Sequence, residues 1–257
     1  MYPVLIEIGS LKLYTYGLFV ALGFMLALTV SKRMAARQKG LQPDLVTDLF
    51  FVILLSGLIG ARLFYVMINF SYFTDHPLSV FQIWEGGLVF FGGFVLAVGA
   101  AMAYLKIKKL HLHRAADILA PGIALGHAVG RIGCFFAGCC YGKTCTLPVA
   151  LTFHHPDSLA PLGVGLHPTQ LYSVAANFVI FLVLLFLLKI KKFHGMVFWT
   201  YVLLYSVLRY IIEMFRGDFR GRFLFLEIST SQGICILLFV VSLIMLGLLY
   251  KKTNDPA

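Results

Sequence analysis

Acidic residues are few in this sequence. Eleven Asp and Glu stand against twenty-one Lys and Arg, and charged residues of all kinds make up only 12% of 257 positions. Water-soluble domains carry roughly 25% charged residues. That shortfall, with 60% hydrophobic content, excludes a soluble globular chain. No repeat relates the two halves, as it does in many transporters. The N-terminus also lacks the basic stretch and small-residue cleavage site of a secretory signal peptide, so the first apolar run is expected to stay as an anchor.

Long apolar runs fill the space that charge leaves. About 20 apolar residues cross a bilayer, and seven runs qualify: 16–30, 45–68, 88–105, 115–136, 171–188, 196–215 and 232–250. The expected fold class is all-α, a polytopic membrane protein of seven helices forming one domain over 1–257. The stretch 137–168 joins spans four and five.

The loop cations sort into two sides. One set, Lys32, Arg33, Arg37, Lys39, Lys106, Lys108, Lys109, Arg114, Lys189, Lys191, Lys192, Lys251 and Lys252, numbers thirteen. The other, Lys12, Lys143, Arg216, Arg220 and Arg222, numbers five. Cations favour the cytoplasmic side, so the N-terminus is expected outside and the C-terminus in the cytoplasm. Cytoplasmic anchors near anionic lipid account for the net charge of +10 without nucleic acid.

Three arginines, Arg62, Arg131 and Arg209, lie inside the apolar runs. A charge at bilayer depth costs roughly 2.5–3.5 kcal/mol on insertion scales and more in simulations, so it persists where it lines a polar cavity or holds an anion. With the expected topology, Tyr16, Arg62, Arg131, Arg209, Glu213, His167 and Gln170 all fall in the outer third of the membrane. That convergence points to one site facing the outer leaflet. Arg209 and Glu213, spaced i, i+4, share a helix face. The carboxylate lowers the cost of burying the guanidinium, and Arg209 keeps donors that match phosphate oxygens. Arg62 follows Gly57, Gly60 and Ala61, residues suited to close helix packing, and hydrogen-bonded packing is favoured there over ligand contact.

Cys134, Cys139, Cys140 and Cys145 crowd into twelve residues. Structural zinc sites pair cysteines two to four residues apart, and adjacent cysteines chelate one ion poorly unless the backbone is distorted. Packing is the first reading, a disulfide the second and a metal site the third; no metal and no cofactor are expected. Cys235 reads as packing. His111 and His113 are expected in solvent, and His154 and His155 in the long outer segment, where loops often carry function. His127, one turn before Arg131, fits an acid–base role or helix packing equally well. His167, opening span five beside polar groups, is the stronger functional candidate.

The run Gly130-Arg131-Ile132-Gly133-Cys134-Phe135, continuing to Gly138 and Gly142, resembles the signature of the prolipoprotein diacylglyceryl transferases. The resemblance extends over nearly the whole chain. Tyr16-Gly17-Leu18, Gly60-Ala61-Arg62, Trp84-Glu85-Gly86-Gly87-Leu88 with Phe91-Gly92-Gly93, His167-Pro168-Thr169-Gln170-Leu171-Tyr172 and Leu208-Arg209-Tyr210-Ile211-Ile212-Glu213 match its motifs in order.

That resemblance implies a bacterial inner-membrane enzyme with its active site toward the outer leaflet. The implied reaction moves diacylglycerol from phosphatidylglycerol to the lipobox cysteine thiol of a prolipoprotein, releases glycerol 1-phosphate and begins lipoprotein maturation. The implied catalytic residues are Arg131, which binds phosphate; Arg209, which stabilises the departing phosphate; Glu213, which orients Arg209; and Tyr16. His167 joins them as the candidate from its own position. Substrate binding would fall to Arg131, Gly130, Gly133, Cys134, Gly138, Gly142, Gly92, Gly93, Gln170, Tyr172 and Arg62. Fixed cations in a dry site ease the departure of phosphate.

Three positions depart from a well-known version of the pattern. Phe91 stands for a histidine, Cys134 for an asparagine and Cys139 for a glutamate. Loss of the histidine leaves His127, His167 or Tyr16 as substitutes for a proton acceptor, or no essential base at all. An anion or lipid transporter with a mid-membrane arginine site is the alternative. It would be expected to carry polar residues through to the cytoplasmic side, where these spans are nearly free of charge.

Overall fold

Seven helices long and apolar enough to cross a membrane dominate the computed structural model. It describes residues 2–8, 11–38, 41–83, 86–218 and 228–254. Trp84 and Glu85 of the third motif, and the loop cations Lys39, Arg220 and Arg222, lie outside the described residues. A hairpin of β1 (Val4–Ile8) and β2 (Leu11–Tyr14) leads into α1 (Thr15–Arg37). Then come α2 (Pro43–Ile68), the short α3 (Phe70–Asp75), a 3-10 turn (Pro77–Phe81), α4 (Phe90–Ile107) and α5 (Leu112–Ala137). A second small hairpin, β3 (Leu151–Thr152) with β4 (Gly165–Leu166), precedes α6 (Thr169–Ile190), α7 (Met196–Met214) and α8 (Thr230–Asn254).

All seven predicted spans are helices, most of them longer than the apolar run alone. The largest extension is in α1, which passes Val30 and takes in Lys32, Arg33 and Arg37. Lys and Arg are good helix formers, and their long stems lie along apolar surface while the charged heads reach water. The hairpins were not expected from the sequence, because their strands are short and lack a sustained alternation.

Tertiary contacts divide the chain into two units, residues 1–31 with 116–257, and 32–115. In the first, α1 and α5 approach through small residues. A Cβ on Gly23 would meet the Gly126 carbonyl oxygen at 2.6 Å, and one on Gly122 the Ala27 carbonyl oxygen at 2.6 Å. Such contact lets backbones pack where lipid removes the hydrophobic drive between helices. At the far end of α5, Asp117 is fully buried. It accepts hydrogen bonds from the backbone N–H groups of Gly195 and Phe198, both at 2.9 Å, and faces Lys191 at 3.5 Å. The carboxylate thus caps the N-terminus of α7, where the helix dipole favours negative charge. This holds the α6–α7 corner against α5.

In the second unit, α2 and α4 pack by the same device. Cβ atoms on Gly60 and Gly93 would meet the carbonyl oxygens of Gly92 at 2.5 Å and Gly57 at 2.7 Å. Side chains elsewhere are turned outward, among them Leu237, Ile244 and Leu248 on α8 and Phe94 on α4. Exposed apolar side chains in that number suit lipid as the solvent.

Candidate functional site

The richest polar assembly in the first unit lies where α5 and α7 end and α1 and α6 begin. α5 stops at Ala137 because Gly138 takes a left-handed φ of 72°, the usual way a glycine ends a helix. The chain then threads between the start of α6 and the end of α7. Gly142 N–H donates to the His167 carbonyl (3.1 Å), Lys143 N–H to the Phe215 carbonyl (2.8 Å), and Gly217 N–H to the Tyr141 carbonyl (3.1 Å). Thr169 Oγ1 donates to the Cys140 carbonyl (2.7 Å) and Gln170 Nε2 to that of Cys139 (3.0 Å), both from side chains about 1% exposed. Only glycine fits at 142, where a Cβ would sit 2.4 Å from the His167 carbonyl oxygen.

This scaffold holds two arginines on the walls of one narrow cleft. Arg131 of α5 and Arg209 of α7 line it with His127, Tyr205, Ser173 and Asn177. Its free volume of about 10 Å³ suits about one water molecule, so a lipid headgroup would have to part its walls. Arg131 Nε donates to His127 Nε2 at 3.3 Å, and no other hydrogen bond from Arg131 is present among the described residues. The His127 ring lies against Tyr205, centroids 5.3 Å apart.

Arg209 pairs with Glu213 at 2.5 Å and reaches Ser231 Oγ at 3.4 Å. Glu213 also accepts from Ser229 Oγ at 3.0 Å and lies 3.6 Å from Arg216. Arg216 in turn forks onto Asp218 at 2.9 and 2.6 Å. Burial opposes charging Arg216, but its bonds to Asp218 and the facing Cys140 thiol hold its guanidinium above the usual range. The chain of charges fixes Arg209 in place, as bidentate and shared carboxylate contacts do.

The other sequence candidates fall in two places. Tyr16 opens α1, and its backbone packs on Gly133, whose Cβ would lie 3.2 Å from the Tyr16 carbonyl oxygen. His167 Nδ1 and Tyr172 Oη are 3.2 Å apart, with the His167 ring against Phe215. A Cβ on Gly130 would meet nothing within 4 Å. In the second unit, Gly92 and Gly93 lie in the α2–α4 contact and Phe91 is exposed. There Arg62 donates four hydrogen bonds, to the carbonyls of Ser79, Val80 (2.9 Å), Gly86 (2.8 Å) and Gly87 (3.1 Å). The Tyr65 and Phe73 rings stand about 5.5 Å from its guanidinium carbon.

None of the five cysteines is in a disulfide among the described residues. The sulfurs of Cys134, Cys139 and Cys140 nonetheless lie within 4.8 Å of one another. Hydrogen bonding with Cys134 and Cys139 pulls the Cys140 thiol down, and Arg216 and Arg131 reinforce this against burial. Hydrogen bonding with Cys134 and Cys140, together with burial, pushes Cys139 up. Cys145 stands apart, its sulfur accepting from Leu147 N–H at 3.4 Å. It belongs to the segment after α5, which folds around a small core of Phe153, Ala160 and Leu166.

Several participants were missed in the sequence. Ser173 and Asn177 continue from Gln170, the one of the three named from the sequence, as a buried polar stripe at helical spacing on an otherwise apolar α6, and that period was available to find them. Tyr205, one turn before Arg209, was equally accessible. Ser229 and Ser231 carried no signal, because only folding brings the start of α8 beside α7.

A multi-pass membrane protein with two cationic side chains facing one cleft is the class that fold and site define. A family model described as prolipoprotein diacylglyceryl transferase matches residues 3–248. Curated relatives named phosphatidylglycerol–prolipoprotein diacylglyceryl transferase are similar along their length. One from Clostridium tetani is 33% identical, covering 96% of this chain and 98% of the relative. Another from Oceanobacillus iheyensis is 37% identical, covering 97% and 88%. One from Geobacter sulfurreducens is 33% identical, covering 99% and 97%. The chain belongs to the prolipoprotein diacylglyceryl transferase family.

Proposed function

We propose that this chain transfers the diacylglyceryl group of phosphatidylglycerol to the lipobox cysteine thiol of a prolipoprotein. The observation that carries this reading is Arg131, a guanidinium with one hydrogen bond among the described residues, facing a cleft it shares with Arg209. In the displacement, the thiol sulfur forms a bond to the terminal glyceryl carbon as that carbon's bond to the phosphate oxygen breaks. Glycerol 1-phosphate departs with the bonding pair, and the thiol proton passes to a nearby acceptor. Arg131 meets the phosphate with a planar fork, and Arg209, steadied by Glu213, offsets the charge on the departing oxygen. The Asn177 carbonyl oxygen, buried and without a partner among the described residues, offers an acceptor for a headgroup hydroxyl. The thiol has to lose its proton, since thiolate is the reactive form, and His127, His167 and Tyr16 are the candidates to accept it.

Purified protein given phosphatidylglycerol and a lipobox peptide is expected to release glycerol phosphate in step with peptide lipidation. Release that ignores the peptide, or none from monodisperse protein, overturns the reading. The cation distribution supports a site open to the outer leaflet. Membrane-impermeant thiol reagents should then label His155→Cys from outside and Lys108→Cys only from inside, in a background lacking reactive native thiols; the opposite sidedness defeats that placement.

A further inference from the structure

We propose that Cys134, Cys139 and Cys140 form a three-thiolate site for a soft monovalent cation, Cu⁺. Adjacent cysteines ordinarily point apart, and the distortion that would let both face one ion is present here. Gly138 and Cys140, on either side of Cys139, have left-handed φ values of 72° and 62°. A non-glycine residue there is uncommon. The two reversals curl the chain so that both vicinal sulfurs return to Cys134, at the end of α5. The turn is held from outside by Thr169 and Gln170, whose buried side chains grip the Cys140 and Cys139 carbonyls.

The spacing suits a bound ion. Metal–thiolate bonds of about 2.3 Å place the sulfurs of a trigonal site about 4 Å apart, and the three sulfurs here lie within 4.8 Å. No fourth Cys, His, Asp or Glu joins them among the described residues. Structural zinc closes a four-ligand shell, whereas soft thiolates in a smaller set select Cu⁺. Binding exchanges three S–H bonds for three S–Cu bonds and releases the protons. The complex carries a net charge of −2, and Arg216 and Arg131 act on Cys140 from beside it.

The test is an anaerobic titration of the reduced, purified protein with Cu⁺ against a competing chelator. One equivalent per chain should be retained, with a sulfur-to-copper absorption band. Cys134→Ser, Cys139→Ser and Cys140→Ser should each lose it, while Cys145→Ser and Cys235→Ser keep it. If the serine variants do not fold, peptide mapping of the wild type supplies the second readout: Cu⁺ should shield Cys134, Cys139 and Cys140 from alkylation and leave Cys145 unaffected. No retained copper in the wild type, retention by the triple serine variant, or preference for Zn²⁺ over Cu⁺ overturns the proposal. None of these readouts depends on transferase activity.

Discussion

Arg62 and Arg131 are both arginines on apolar helices beside glycine, yet their surroundings assign them opposite work. Arg62 spends its guanidinium on four backbone carbonyls of the loop after α3. Arg131 has one hydrogen bond among the described residues, to a histidine of its own helix, and faces a cleft. A buried guanidinium with four bonds to backbone carbonyls is a structural strut, since removing it strands those carbonyls. One with a single bond among the described residues keeps donors for another group. A charge inside the membrane is therefore informative only when its partners are counted.

The largest effect expected from this contrast is at Arg131. Arg131→Lys should cut transferase activity about a hundredfold, nearly as much as Arg131→Ala, because a point charge does not reproduce a bidentate fork. Most activity surviving in a normally expressed Lys variant would break the comparison. Arg62→Gln should instead lower stability by about 3 kcal/mol, read as a fall in the unfolding midpoint in detergent. Turnover lost with no thermal shift would place Arg62 among the ligand residues after all.

Two glycines sharpen the picture at smaller scale. Gly142→Ala drives a methyl into the His167 carbonyl oxygen and should cost about 1–3 kcal/mol. Gly130→Ala meets no neighbour and should slightly stabilise α5, by up to about 1 kcal/mol. If substrate approaches over Gly130, its KM rises severalfold while the midpoint does not fall. An unchanged KM would remove Gly130 from the binding surface.

Much of this was legible in the sequence because it depends on local composition and period. Twenty apolar residues suffice for a span, so all seven helices were visible. Arg209 and Glu213 were seen as a pair because helical spacing alone brings i and i+4 together. The ordered motifs gave the family. The thiol cluster was not legible. Spacing argued against adjacent cysteines sharing a target, and nothing in Gly138–Cys139–Cys140 announces that Cys140 adopts a left-handed backbone.

The sequence by itself determined the membrane class, the number of apolar spans, the family and the presence of cations within those spans, all set by transfer energetics and short-range pattern. Tertiary structure decided which arginine is a strut and which is open, and that Ser229 and Ser231 stand beside Glu213 and Arg209. It also decided that three sulfurs converge at the end of α5. Hydrogen-bond partners drawn from distant segments made those choices, and a buried polar group takes its role from the partners that folding brings to it.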